Sequence, residues 1–299
     1  MKKKHVLLVG GTSLDTIIHL PSPMEPGPQT IWAKESYQGV GCTGAGKALN
    51  LSRLGIDTTL HTIVGQDSQA DFVLGELQHP NIELLVELTQ APTEQHTNLM
   101  SPSGERISIF THPPDCPKEI DVESISKAMA KTDIAAISIL DYTRPTLAIA
   151  KAHNKPLWID LHDYDGKDSY HREFIDMADV IFVSSDNLPD YESFMAQQIN
   201  AGKELVVCTH GKEGSTALTS EGRWYQQDIL PDFPLVDSNG AGDAYFSGFL
   251  FAHFQNASVQ NCMLYGSAAA ALCVGSRKLY NPSLSPETLD GLFQDFSRR

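Results

Sequence analysis

Short apolar runs recur along the 299-residue chain, at 5–10, 58–64, 134–140, 157–161, 180–183 and 205–209. Between several of them lie stretches with helical periodicity, including 68–78, 122–131 and 146–153. Continuous runs rich in Val, Ile and Leu, alternating with helices, predict a mostly parallel sheet covered on both faces. Two segments break the rhythm. Residues 16–37 hold the loop sequence PSPMEPGP between short β-like pieces, and 97–100 and 106–110 flank Ser-Pro-Ser-Gly-Glu, which reads as a hairpin. Extra β-structure inserted early in an α/β chain suits a lid or an oligomer surface. Residues 244–254 and 259–274 are apolar nearly all round, which predicts two buried helices late in the fold. No internal repeat, low-complexity tract or long linker divides the chain.

Composition narrows the classes of function. The chain has 22 Lys+Arg against 37 Asp+Glu, a formal charge of −15, with 41% hydrophobic and 20% charged residues, an ordinary folded composition. The acidic balance argues against a broad nucleic-acid or anionic-membrane surface, since both need a basic footprint. It does not exclude an anionic small molecule, because amides at a helix N-terminus hold phosphate without net positive charge. Five scattered cysteines (Cys42, Cys116, Cys208, Cys262, Cys273) form no CxxC or Cys/His finger, so a reducing cytoplasm is expected. The start, MKKKHVLLVGG, has too short an apolar run for a signal peptide and reads as a first strand. No run approaches the roughly 18 apolar residues of a membrane span.

Three glycine-rich segments carry the candidate chemistry. In the first, Gly39-Val-Gly-Cys-Thr-Gly-Ala-Gly-Lys47, the spacing Gly39-x-Gly41-x-x-Gly44 formally matches a dinucleotide fingerprint. It lies in the second structural unit, however, and no acidic residue ends a strand about 20 residues later. Gly41-x-x-x-x-Gly46-Lys47 matches a phosphate loop until Ala48, where a Ser or Thr hydroxyl is needed. The simpler reading is a turn that brings backbone close to a ligand and starts a helix ending at Gly55. A tight turn needed only for helix–sheet packing remains open.

The second segment, Val236-Asp237-Ser238-Asn239-Gly240-Ala241-Gly242-Asp243, runs directly into an apolar helix. Its small residues free consecutive amides at a positive helix end, suited to a developing phosphate charge. Asp243 falls in the first turn, where a general base or a helix-capping carboxylate is equally at home. The third, Cys208-Thr209-His210-Gly211-Lys212-Glu213-Gly214, follows an apolar strand, where ligands of open α/β sheets collect.

Taken in order, these segments resemble the ribokinase-like (PfkB) carbohydrate and nucleoside kinases over nearly the whole chain. Five features carry the resemblance: Gly10-Gly11 with Asp15, the lid insertions, the glycine turn ending in Arg53-Leu54-Gly55, the Thr-x-Gly-x-x-Gly turn, and Asp-x-x-Gly-Ala-Gly-Asp. Phe246 and Gly248 after that signature also look like the family. The resemblance implies a three-layer αβα domain over 1–299, with a mostly parallel sheet and lid segments at about 12–38 and 94–112. It implies a hydroxyl attacking the γ-phosphate of ATP, with Asp243 as base and the amides of Gly240, Ala241 and Gly242 as anion hole. Asp15 would hold substrate hydroxyls, with Gly41, Gly44 and Gly46 beside the sugar. Thr209, Gly211, Gly214, Asn239 and Ser267 would face the nucleotide, and 268–276 would approach the adenine. Mg²⁺ and a monovalent cation such as K⁺, the latter helped by Asp237, belong to the same expectation; a homodimer through the lid is expected because exposed edge strands are often covered by a partner.

The sequence departs from the family in four places. The usual substrate-binding Asn is Gly46, with Asn50 one turn onward. The Asn-x-x-Glu element becomes Ser184-x-x-Asn187, with Asp186 and Asp190 as candidates to compensate. His162 replaces an Asn after Asp160 and a nearby Arg is missing, and Ser267 falls where Asn is common. Phosphoryl transfer is thus better preserved than the acceptor pocket. A sugar kinase acting on a hydroxymethyl group leads, ahead of a nucleoside kinase, a non-catalytic sugar or nucleotide sensor, and a dehydrogenase. His162 with Asp160, Asp163 and Asp165 reads as a metal site, a solvated loop or a substrate contact. Cys42 reads as a packed thiol. Trp32 and Tyr37 would cover a sugar, join a dimer or simply pack within the lid.

Overall fold

The computed structural model describes residues 3–297 apart from 103, 105 and 118. Ser103 and Glu105 of the expected hairpin turn, and the ends of the 1–299 span, therefore lie outside the described residues.

The apolar runs form the parallel strands the pattern predicts: β1 (His5–Val9), β4 (Asp57–Val64), β8 (Ile134–Ile137), β9 (Leu157–Asp160), β10 (Val180–Ser184) and β11 (Leu205–Thr209). With β5 (Ile82–Leu88), β12 (Ser215–Thr219) and β13 (Trp224–Gln227) they make a nine-stranded sheet in the order β13-β12-β11-β10-β9-β8-β1-β4-β5. Within this sheet the β11–β12 and β12–β13 pairs are antiparallel and the other described pairs parallel. Alternation along β1 shows why both faces are apolar. Val6 and Leu8 join one core with α1 (Thr43–Arg53), α7 (Ala241–Phe254) and α8 (Val259–Val274), whereas Leu7 and Val9 join the other. That second core receives Ile125 and Met129 of α3 (Val122–Lys131), Leu147 of α4 (Arg144–Ala152), Phe174 of α5 (Arg172–Met177) and Phe194 of α6 (Tyr191–Asn200). The result is the three-layer αβα arrangement.

The two segments that break the rhythm form a separate lid sheet. Strands β2 (Ser13–His19), β3 (Glu35–Gly41), β6 (Gln95–Met100) and β7 (Arg106–His112) pair in the order β3-β2-β6-β7. The edge strand β7 is exposed throughout, including Ile107, Ile109 and Phe110. Among the described residues, no helix is long and apolar enough to cross a membrane.

Packing sets the position of α7. Trp158 on β9 is 2% exposed and stacks on Phe182 at 5.7 Å, with Phe246 and Phe249 of α7 edge-on at 5.8 and 6.1 Å. Asp160 lies two residues beyond Trp158, so the strand period directs it to the same α1/α7 side, at the carboxyl end of the sheet. Helices α7 and α8 approach closely at Gly248 and Gly266, where an added Cβ would meet the carbonyl oxygens of Tyr265 and Tyr245.

Candidate active site

Three glycines of one short segment bring the key acids together. Gly41, at the end of β3, sits where a Cβ would strike the Asp15 carboxylate. A Cβ on Gly44 would strike the backbone of Gly10 and Gly11, and one on Gly46 would strike the Asp243 carboxylate. Segment 41–46 is therefore glycine-rich because it is wedged between the lid acid, the end of β1 and the start of α7.

On the lid strand β2, Asp15 is 3% exposed. Its Oδ1 accepts from Ser13 Oγ at 2.6 Å and faces His96 Nδ1 at 3.4 Å, while Oδ2 accepts from Asn98 Nδ2 at 2.7 Å. The other ring nitrogen of His96 lies 2.8 Å from Glu94 Oε1, and Phe110 covers the ring at 4.0 Å between centroids. His96 and Asn98 were missed in the sequence. The one signal was their spacing of two in QHTNLM, which puts both on one face of a strand, the face that is buried. Cys42, in the left-handed region at φ 69°, turns its Sγ toward Glu94 at 4.0 Å. Burial pushes that thiol well up, which fits a packed rather than reactive group.

At the start of α7, Gly240 takes the left-handed conformation (φ 81°) and caps the 14-residue helix. A side chain there would strike the Leu279 backbone. The amide of Ala241 is spent on Ser238 O at 3.2 Å, whereas those of Gly240 and Gly242 have no acceptor among the described residues. Unpaired amides at the positive end of a helix fit a phosphate group. Asp237 Oδ1 accepts the Asn239 amide at 2.8 Å and braces this loop.

Asp243 is 8% exposed, and its Oδ1 accepts from Lys47 Nζ at 2.9 Å. No hydrogen bond reaches Oδ2 among the described residues. The same Lys47 Nζ donates to Asp160 Oδ2 at 2.9 Å and lies 5.0 Å from the centre of the Phe246 ring. Burial pushes the Asp243 carboxyl up, and Lys47 only partly offsets it, so it stays above the ordinary value. Burial also acts on Asp160, but His162 and Lys47 outweigh it and bring that carboxyl down to about 2. Lys47 itself is pulled down by burial and held well above the usual lysine range by the two carboxylates.

The lid touches the signature loop directly. Tyr37 Oη donates to Asp237 Oδ2 at 2.5 Å, Arg106 Nη1 to Asn239 Oδ1 at 2.6 Å, and Ser238 Oγ to Gly104 O at 2.7 Å. Trp32, by contrast, is 87% exposed.

Residues 5–286 match the pfkB family carbohydrate kinases. The chain belongs to this family. It is accordingly a phosphotransferase with an alcohol group as acceptor, and membership implies ATP as donor. Over 275 residues it is 31% identical to an acarbose 7(IV)-phosphotransferase of Actinoplanes sp., covering 89% of this chain and 90% of that one. It is 26% identical to a 5-dehydro-2-deoxygluconokinase of Clostridium beijerinckii, covering 79% and 78%. Two solved structures share the fold: a microbiome-derived acarbose kinase (TM-score 0.86, 24% identity, 98% and 100% covered) and Arabidopsis thaliana ribokinase (TM-score 0.78, 18% identity, 98% and 99% covered).

The remaining expected site residues of this pfkB kinase are spread over several elements. Thr209, Gly211 (φ 55°) and Gly214 (φ 91°) lie at and beyond the carboxyl end of β11, and a side chain on Gly214 would strike the backbone at Gln227 and Asp228. Ser267 is buried on α8. Asn50 is fully buried, its side-chain amide bridging Gly46 O and Leu279 O at 2.8 Å each. Asn187 holds the Asp163 carbonyl at 3.1 Å, Asp165 closes an exposed turn, and the His162 amide donates to Asp160 Oδ1 at 3.0 Å. Among the described residues, no three His, Cys, Asp or Glu side chains are grouped to hold a metal ion.

Proposed function

We propose that the chain transfers the γ-phosphoryl group of ATP to a hydroxymethyl group of a small sugar or sugar-like polyol. It does so as one domain over residues 1–299, with about 12–38 and 94–112 as its lid. One observation carries the reading: Asp243 lies in the first turn of the helix that Gly240 caps, its Oδ2 and the amides of Gly240 and Gly242 have no hydrogen-bond partner among the described residues, and Gly46 packs against the same carboxylate. The acceptor hydroxyl gives its proton to Asp243 Oδ2. The oxygen attacks the γ-phosphorus, the bond to ADP breaks, and the amides meet the charge on the transferring group. A raised carboxyl is the stronger base, provided it remains ionised at the working pH. Asp15, already oriented by Ser13 and Asn98, has lone pairs left for acceptor hydroxyls. Mg²⁺ would be held mainly by ATP itself and would supply neutralisation of phosphate charge there. The exposed edge β7 supports pairing of two copies through the lid.

Acarbose is the first acceptor to test, because it is the substrate named for a relative 31% identical over 89% of this chain. The assay is ADP formation with acarbose, 5-dehydro-2-deoxygluconate, ribose and adenosine. Turnover with a sugar and none with adenosine is the expected result. Turnover with adenosine alone would select a nucleoside kinase, and thermal stabilisation by ligands with no ADP would select a sensor.

A further inference from the structure

A lysine buried at 4% exposure between two carboxylates, one of them Asp243, calls for a role beyond packing. Charges are rarely buried unless paired, and even a pair this deep gives up much of its hydration. Lys47 also joins three elements: α1, the end of β9 and the first turn of α7. We infer that Lys47 is a positioning residue for phosphoryl transfer, anchored by Asp160 and holding Asp243 Oδ1 so that Oδ2 is left to the acceptor hydroxyl.

The geometry accounts for each part. Lys47 has three protons, and two are spent on Asp160 Oδ2 and Asp243 Oδ1. Phe246 beneath the ammonium and the buried surroundings leave the side chain little freedom, so it acts as a fixed strut. The strut also opposes the effect of burial, which pushes the Asp243 carboxyl up. As Asp243 Oδ2 takes the hydroxyl proton, its charge is neutralised and Asp160 remains as the counter-ion of Lys47. No charge is then stranded during transfer. The groups facing Asp243 are Lys47 from α1, Asp160 from β9, His162 from the following loop, Cys42 before α1 and Cys273 from α8. Both thiols are pushed up by burial, Cys273 to about 12, so they stay neutral over the working range.

The inference rests on the reading of Asp243 as base, and the test separates the two. Protein carrying ¹³C-labelled aspartate is titrated, the Asp243 carboxyl being assigned by its loss in Asp243→Asn. Lys47→Met keeps the stem and removes the charge, so the Asp243 midpoint should rise by about 1–3 pH units. Asp160→Asn leaves Lys47 wholly to Asp243, so the midpoint should fall. The acidic limb of kcat/KM for ADP formation with acarbose should move in the same two directions. Repeating both in a His162→Gln background removes any histidine contribution.

A role in packing alone would lower activity without moving the limb. An unmoved midpoint in Lys47→Met, or shifts of the same sign in both variants, would overturn the inference. If Lys47→Met does not fold, the direction of the Asp160→Asn shift decides. The titration needs no acceptor, so it remains decisive even if acarbose is not turned over. Full ADP formation by Asp243→Asn would instead remove the base reading and leave the Lys47 contacts as a structural pair.

Discussion

Replacing Gly46 by alanine adds one methyl group at the point where α1 meets Asp243. The added Cβ would lie 2.8 Å from Asp243 Cγ and 3.0 Å from its Cβ, and closer still to Oδ2. Ordinary carbon contacts begin near 3.5 Å, so the carboxylate or the helix must move by roughly half an ångström or more. Overpacking of this kind costs about 1–3 kcal/mol, while alanine in a helix interior returns about 0.5–1 kcal/mol over glycine. Net destabilisation is therefore about 0–2.5 kcal/mol, small enough for the protein to fold. Catalysis is far less tolerant, because a misplacement of about 1 Å can cost on the order of 10²-fold in rate. The assay pairs urea melts with steady-state ADP formation, using Gly75→Ala on α2 (Ser68–Glu76) as control, since nothing lies within 4 Å of a Cβ there. The control should be neutral or slightly stabilised and Gly46→Ala should lose most of its kcat. Wild-type kcat in Gly46→Ala would refute the claim that Gly46 exists to let Asp243 approach.

Two further predictions concern the frame and the lid. Asp67 caps α2 through the Ala70 amide and also accepts from the Thr93 amide and hydroxyl, at 2.9, 2.8 and 2.6 Å. Burial pushes its carboxyl up, but these bonds outweigh it and leave it below the ordinary value. Asp67→Ala should cost about 1–2 kcal/mol at neutral pH. That difference should persist above about pH 4 and vanish as pH falls through the lowered folded value, which melts of both proteins across pH would show. Tyr37→Phe removes the lid's bond to buried Asp237 while Asn239 still braces that carboxylate. It should change stability by only about 0.5–1.5 kcal/mol yet raise KM for acceptor and ATP together, and unchanged KM values would show that the lid contact plays no part in binding.

What could be read from the sequence follows physical locality. The runs at 5–10 and 205–209 were legible because strands buried on both faces are continuously apolar. Strand β5 was not, since it is a half-exposed edge whose IELLVEL lacks a clean period, and the polar β13 carries even less signal. The glycine segments were visible as motifs, and the structure supplies their reason, a missing Cβ against Asp15, Gly10–Gly11 or Asp243. Asn50, in the right segment, turned out to serve the backbone at Leu279. Lys47 was seen only as part of a failed phosphate-loop pattern. Its partners lie 113 and 196 residues away, beyond any local period, and the one available hint was a lysine inside a helix of small and apolar residues.

The proposed chemistry stands or falls on Asp243 as the group that takes the acceptor proton. The direct measurement is ADP formation by wild type and Asp243→Asn, each with saturating ATP and the best acceptor, alongside equilibrium binding of both ligands. A base at this position predicts a loss of kcat of about 10²–10⁴-fold or more with binding retained. Turnover near the wild-type rate in Asp243→Asn would contradict it.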